Sequence, residues 1–480
     1  MVKKVKEQSP PPTFDTNVDA TTTTDKDDDE DDITSSAWLW RLCLPLWLVY
    51  VSNQWSRSSL YALVDFSDGA DATHAMNVAL QFDQARYGVL ASVAFTALFA
   101  VASVGAGAAA DRWNRKTLTV LSAVGWTVAT LGTAWATSYP TVLVWRVAMG
   151  LACAFATPTA YTLIRQRAPA ARVALASSIY GTGVAVASAL CSLTIVLDNE
   201  YGWRSALVVV AVGGGVAALA ALLTLEDDTK ETVVDNTLSN TLSLNSFVGD
   251  LQQVVETPRV QWMFLAAFFR FSAGLCIGVW GAPYFRMAYP DRQADFAVAQ
   301  AAISAVGATL SGLLGGATAD WLASQAAAAD DDDTKDPTGR RLWVPVVGSL
   351  LAVPTWYLAV HAENTSFEVA MLWLAAEYFV AECWFGPTIS TLQSTVDAKV
   401  GGTAQGAFTL TGGVANLAPS LLGYFYGQAT SSATAGSNAA SEELSTLLAL
   451  GVCGGYLISA VCFAVAAQSP PSASAKVKSQ

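Results

Sequence analysis

Apolar residues in this chain gather into runs of about twenty, the length a helix needs to cross the hydrocarbon of a bilayer, and short polar stretches separate them. Twelve such runs are legible, near residues 38–64, 87–110, 118–138, 141–164, 173–196, 205–224, 260–284, 296–322, 342–360, 367–390, 404–426 and 445–467. A polar connector, 225–258, divides them six and six. The pattern predicts an all-α membrane protein of twelve transmembrane helices in two six-helix bundles, 37–224 and 259–467. An acidic tail (1–36), read as disordered, precedes them and a short tail (468–480) follows.

One short stretch stands out where two runs meet. Gly107-x-x-x-Asp111-Arg112-x-x-Arg115-Lys116 places a glycine where helices can approach closely and charges where the chain turns at the membrane surface. A weaker copy, Gly316-Ala-Thr-Ala-Asp320, lies in the second half, which points to an internal duplication. Gly107, Asp111, Arg112, Arg115 and Asp320 are therefore expected to act as a conformational gate at helix ends, where an Asp is favoured by a neighbouring helix N-terminus.

Composition agrees with a membrane protein: 53% of residues are hydrophobic, 14% are charged, and mean hydropathy is +0.38. A soluble domain needs about a quarter of its residues charged. The net charge of −13 owes much to two acidic clusters, 25–32 and 330–336, and argues against a nucleic-acid partner, which needs a basic footprint. The seven cysteines all fall in apolar runs without metal spacing, so they read as small core residues and no metal or cofactor is expected. Lys and Arg concentrate in the loops after runs 2, 4 and 8 (Arg112, Arg115, Lys116, Arg165, Arg167, Arg172, Arg340, Arg341), which puts both termini in the cytosol. Arg86, Arg204, Arg286 and Arg292 are exceptions on the other side, where the glycosylation triplet Asn364-Thr365-Ser366 also falls. The compartment, plasma membrane or endolysosomal, stays open.

Charges inside the runs carry the functional argument, because each costs several kcal/mol in hydrocarbon unless it serves a cavity or a partner. They are Arg57 in the first run, Arg146 in the fourth, Arg270 in the seventh, and Glu377 with Glu382 in the tenth. These are the first and fourth runs of each half, so a duplicated fold lets them converge on one site. Arg57, Arg146 and Arg270 are expected to bind an anionic substrate, Glu377 to balance Arg270, and Trp280 to add an aromatic contact. Glu382, five residues on, is the weaker candidate. The bland reading is helix-end snorkelling for Arg57 and a structural bond for Arg146. No ATP-binding glycine loop, zinc-protease helix or serine elbow is present, so no enzyme chemistry is expected.

The turn motif, Arg146-x-x-x-Gly150, Gly202-Trp203-Arg204, the copy at Gly316 and the six-plus-six runs together resemble the major facilitator superfamily. That resemblance implies two pseudo-symmetric bundles around a central cavity and transport by alternating access. Within it, Phe271–Phe285, Ala376-Glu377 and Thr395–Phe408 look most like the Spinster-type branch, which moves lysolipids and sphingolipids. Two positions depart from that branch: Ser56 stands where it has an Asp, and Cys153 where it has a Glu. The expectation is a transporter of a small organic or amphipathic anion, with protons as a candidate coupling ion. The alternatives are a Spinster-like lipid transporter and a non-transporting sensor on the same fold.

Overall fold

The structure is a computed structural model and describes residues 38–67, 69–169, 172–227, 251–252, 254–328, 337–361, 366–396, 400–432 and 437–470. Both acidic clusters, most of the connector and the triplet's Asn364 and Thr365 lie outside them. Among the described residues, nine helical stretches have the length and apolarity to cross a bilayer. One of them, Leu175–Thr224, would be about 75 Å long if straight, more than twice the hydrocarbon thickness. It breaks at Gly202, where φ is +79° and ψ 159°. Trp55 shows that the chain reverses there. Its Nε1 donates to Thr194 Oγ1 at 2.9 Å, while a Cβ on Gly213 would sit 3.0 Å from the same indole, so residues 194 and 213 lie level.

The reversal makes two spans, and two more polar helices complete twelve. In the first half these are α1 (Leu44–Ala62), α2 (Ala94–Arg112, entered through Gln84–Gly88 and a π-turn at Val89–Val93), α3 (Arg115–Ala134), α4 (Tyr139–Cys153, continued by Ala156–Arg167), α5 (173–201) and α6 (203–224). In the second half they are α7 (Pro258–Ala288), α8 (Gln293–Ala302, continued by Ala308–Ala328), α9 (Trp343–Val360), α10 (Phe367–Ala381, continued by Phe385–Thr395), α11 (Gly401–Ala415, continued by Ala418–Ser432) and α12 (Ser437–Leu448, continued by Gly454–Gln468). Exposed Leu121, Leu223, Leu313, Leu372 and Val461 form an apolar outer face, which a soluble surface of this extent would not carry.

The Gly202-Trp203-Arg204 triplet builds the α5–α6 corner. A Cβ at Gly202 would lie 2.8 Å from the Thr73 carbonyl, and that carbonyl accepts from Trp203 N at 3.1 Å. Arg204 then donates to the carbonyls of Ala134 and Ala136 (2.6 and 2.9 Å), capping the C-terminus of α3.

The packing is asymmetric along the membrane normal. At the end far from the turn motif, one continuous core joins both halves, from Leu60–Val64, Tyr87 and Ile195 to Ile277, Trp280, Trp356 and Tyr456. At the turn-motif end the core divides. One cluster lies wholly within residues 38–225, another wholly within 254–466. Among the described residues, the halves are therefore sealed at the far end and their cores are parted at the turn-motif end.

Candidate functional site

Arg146 is drawn into the first half by a close helix crossing. Gly150, one turn further on α4, has no room for a Cβ: it would meet the Phe95 carbonyl at 2.2 Å. The approach lets Arg146 Nε donate to the Leu90 carbonyl at 3.2 Å, within the π-turn of Val89–Val93, a widened turn of the kind that recurs at functional sites. Nη1 meets Met149 Sδ at 3.5 Å, whereas Nη2 is buried with no hydrogen-bond partner. The guanidinium of Arg57 lies 4.7 Å from the Phe95 ring centre and that of Arg146 5.5 Å from the same ring. Two cations thus share one aromatic ring, and among the described residues no carboxylate pairs with either. Cation–π contacts of this sort offset part of the cost of a buried charge without neutralising it.

The second half answers with a compensated cluster. Arg270 on α7 is buried between Tyr456 (4.9 Å) and Trp384 (5.4 Å). Its Nη2 donates to the Ala381 carbonyl at 2.8 Å and pairs with Glu382 at 3.1 Å; its Nε has no partner. Glu377, fully buried, accepts instead from the Tyr456 hydroxyl. The expected Arg270–Glu377 pairing is therefore replaced by Arg270–Glu382. The reason is local: α10 gives way at Ala381 to a 3₁₀ turn, Glu382–Trp384, which swings Glu382 toward α7 and frees the Ala381 carbonyl.

The structure thus gathers Arg57 with Arg146, and Arg270 with Glu377 and Glu382, but in two separate clusters, one per half. Between the halves lies a cavity of about 70 Å³ touching Tyr61, Cys191, Gly278, Gln300 and Tyr378. Tyr61 also stands 5.8 Å from Arg146, so the cavity abuts the first cluster through that ring. Trp280 lies elsewhere. It is fully buried, donates to the Pro419 carbonyl at 3.0 Å and packs edge-on against Tyr87 (4.9 Å) and Tyr426 (5.7 Å), so it belongs to the seal between halves.

Around that seal, Tyr87 donates to the Val279 carbonyl at 2.6 Å, Asn416 to Ser92 O and Thr96 Oγ1, and Ser420 to Gly88 O. Gly88 and Gly423 permit the contact, since a Cβ on the latter would be 2.7 Å from Gln84 O. Sequence reasoning missed the strongest link, Arg286 of α7 against Asp198 of α5 (3.1 Å) and Asp65 (3.7 Å). The signal was present, because Arg286 broke the loop-charge rule, but its partners are remote in sequence.

Of the gate residues, Gly107, Asp111 and Arg112 end α2, and their side chains lie outside the described residues. Arg115 is buried at the start of α3. Beside it Asn114 caps α3 through Thr117 N (3.1 Å) and Lys116 pairs with Asp227 (3.7 Å). Asp320 pairs with Arg341 at 3.1 Å; it stands within α8, which runs on to Ala328 instead of turning near 322.

A sequence profile of the Major Facilitator Superfamily matches residues 46–421. A search of curated protein sequences returns no match. Among solved structures, the chain is similar to a bacterial homolog of the human lysosomal transporter Spinster in an inward-facing, unoccupied conformation. That likeness has a TM-score of 0.67 at 20% identity and covers 88% of this chain and 94% of that one. It is also similar to the nucleoside transporter NupG (0.61, 17% identity, 88% and 98% covered) and to a D-xylose-proton symporter (0.56, 14%, 89% and 97%). At such identities these likenesses speak for the fold alone. The profile match, the two six-helix halves and their one-sided seal agree: this chain is a multi-pass membrane protein of the major facilitator superfamily.

Proposed function

We propose that the protein is a secondary active or facilitative transporter that moves a small organic or amphipathic anion by alternating access. The observation that carries this reading is the pair Arg57 and Arg146. They are two cations on one phenyl ring with no carboxylate partner among the described residues, and one of them keeps a buried guanidinium nitrogen without a hydrogen-bond partner. An anionic group supplies what that nitrogen lacks, because an unpaired buried donor costs about 1–3 kcal/mol and more when charged. Arg270, already paired with Glu382, sets the electrostatics of the opposite wall, where Glu377 accepts from Tyr456. With both termini in the cytosol, the parted end faces inward. Asp320–Arg341 and the residues of the turn motif then act as a latch that alternates with the far-end seal.

The test is uptake into proteoliposomes of a panel of carboxylates, phosphate and sulfate esters, and lysolipids, with and without a pH gradient. Arg146→Ala is expected to cut uptake of the preferred anion by at least about tenfold, the effect of losing roughly 1.4 kcal/mol of binding. Arg57→Ala should act in the same direction. Wild-type uptake by both variants would remove the anion site.

A second reading is a lysolipid transporter, in keeping with the Spinster likeness. An apolar groove of about 200 Å³ between α2 and α11, lined by Val93, Ala97, Ala100, Leu410 and Val414, favours it, since an acyl chain needs such a wall. In the same panel, movement of lysolipids but not of short carboxylates selects it.

A further inference from the structure

We infer that the Asp65–Asp198–Arg286 cluster at the sealed end is a proton-binding site, entered through His74, and that taking up a proton there releases the seal. This deepens the alternating-access reading and rests on it. It concerns groups apart from the arginine pair and from Glu377.

The cluster is built across the two halves. Arg286, near the end of α7, donates Nη1 to the Ala62 carbonyl (2.6 Å) and Nη2 to Asp198 Oδ2 (3.1 Å). Its Nε donates to Gln293 Oε1 (3.0 Å) and lies 3.7 Å from Asp65 Oδ2. Side-chain exposure is 1% for Arg286, 0% for Asp198 and 6% for Asp65. The halves cannot part here unless the guanidinium leaves two carboxylates, and separating a buried ion pair strands charges in a poorly solvated place.

The charge does not balance. Two carboxylates face one guanidinium, and carboxylates that share a site favour holding a proton between them. Geometry says which of the two takes it. Both oxygens of Asp65 are engaged, Oδ1 by Ser67 N (2.9 Å) and Oδ2 by Gln293 (3.3 Å) besides Arg286. Asp198 Oδ1, by contrast, is buried without a hydrogen-bond partner. The groups that act on Asp198 electrostatically are Arg286, His74 and Asp65.

His74 supplies the route. Its ring is 36% exposed, yet Nδ1 is 3.9 Å from that orphan Oδ1 and 2.7 Å from the Asp198 backbone carbonyl. The loop holding it is fixed by Asp71, which accepts from Thr73 N (2.6 Å) and His74 N (3.1 Å). Those amides hold the exposed Asp71 carboxyl below the usual range, so it stays charged beside the ring. A proton from far-end solvent passes by way of the imidazole to Oδ1. Neutral Asp198 then no longer attracts Arg286 as an ion, and the pair parts at lower cost. Low pH on that side therefore favours opening toward it.

The experiment reads conformation in the absence of any transported compound. The full-length chain, with native cysteines replaced by serine, carries spin labels at Val78→Cys and Asp291→Cys, exposed positions at the sealed end on opposite halves. Distances are measured in nanodiscs at pH 8 and pH 5.5. The expected result is a shift of the closed-to-open ratio toward long distances at low pH, by up to about tenfold per pH unit, the limit for one proton. Asp198→Asn and Asp198→Ser should show the low-pH distribution at both values, and either variant suffices if the other fails to fold. Wild-type distances that ignore pH, or variants that still respond like wild type, overturn the site. Because no anion is present, failure here leaves the anion reading standing, and failure of the uptake panel leaves this result intact.

Discussion

At the scale of single residues, close approach and charge decide most of what the chain can do. Gly150 shows it most directly. Its missing Cβ lets α4 reach the Phe95 backbone and so positions Arg146 against Leu90. Gly150→Ala should lower stability by about 1–3 kcal/mol through overpacking against a backbone atom that cannot turn away. Gly215→Ala, where nothing lies within 4 Å, should leave stability nearly unchanged. Thermal unfolding of the two variants in detergent, read side by side, checks this. The sequence already marked Arg146-x-x-x-Gly150 as a unit. It did not reveal that the arginine's job in this conformation is split between a backbone carbonyl and an empty donor, since that depends on where the π-turn of the neighbouring helix falls.

At the scale of elements, irregular turns place the chemistry, and apolar periodicity says nothing about them. The 3₁₀ turn after Ala381 exchanges the carboxylate that meets Arg270, and the positive φ at Gly202 turns one apolar run into two antiparallel spans. Gly202→Ala should cost about 1–3 kcal/mol, because its backbone region is essentially closed to side-chain-bearing residues. The Thr73 carbonyl at 2.8 Å adds to the strain. The expected readout is a lower unfolding temperature together with faster protease cleavage at the exposed α5–α6 corner. Helix existence was legible for all twelve spans. Helix ends were less so, and α8 overran its expected turn to Ala328 because its last residues, rich in alanine, favour continuing the helix in water as well as in lipid.

At the scale of the whole molecule, the two halves share an apolar core at one end only, among the described residues. The seal is a shared aromatic core with a few polar fasteners, so each fastener should shift a conformational balance more than it shifts stability. Tyr87→Phe removes the bond to Val279 O, worth about 0.5–1.5 kcal/mol, and should move the closed-to-open ratio by up to about tenfold in the spin-label distances. An unchanged distribution would show that the aromatic core alone holds the seal. What the sequence determined by itself is the set of membrane spans, their division into halves, and which of them bear charge. Those follow from transfer costs that each residue meets almost independently of the others. Only the tertiary structure decided that the charges form two clusters and not one. It also decided that Trp280 is a wedge, that Glu382 outcompetes Glu377 for Arg270, and that Arg286 bridges to Asp65 and Asp198. Such pairings are set by which helix faces meet across 88 residues of chain or more, and no local pattern encodes that choice.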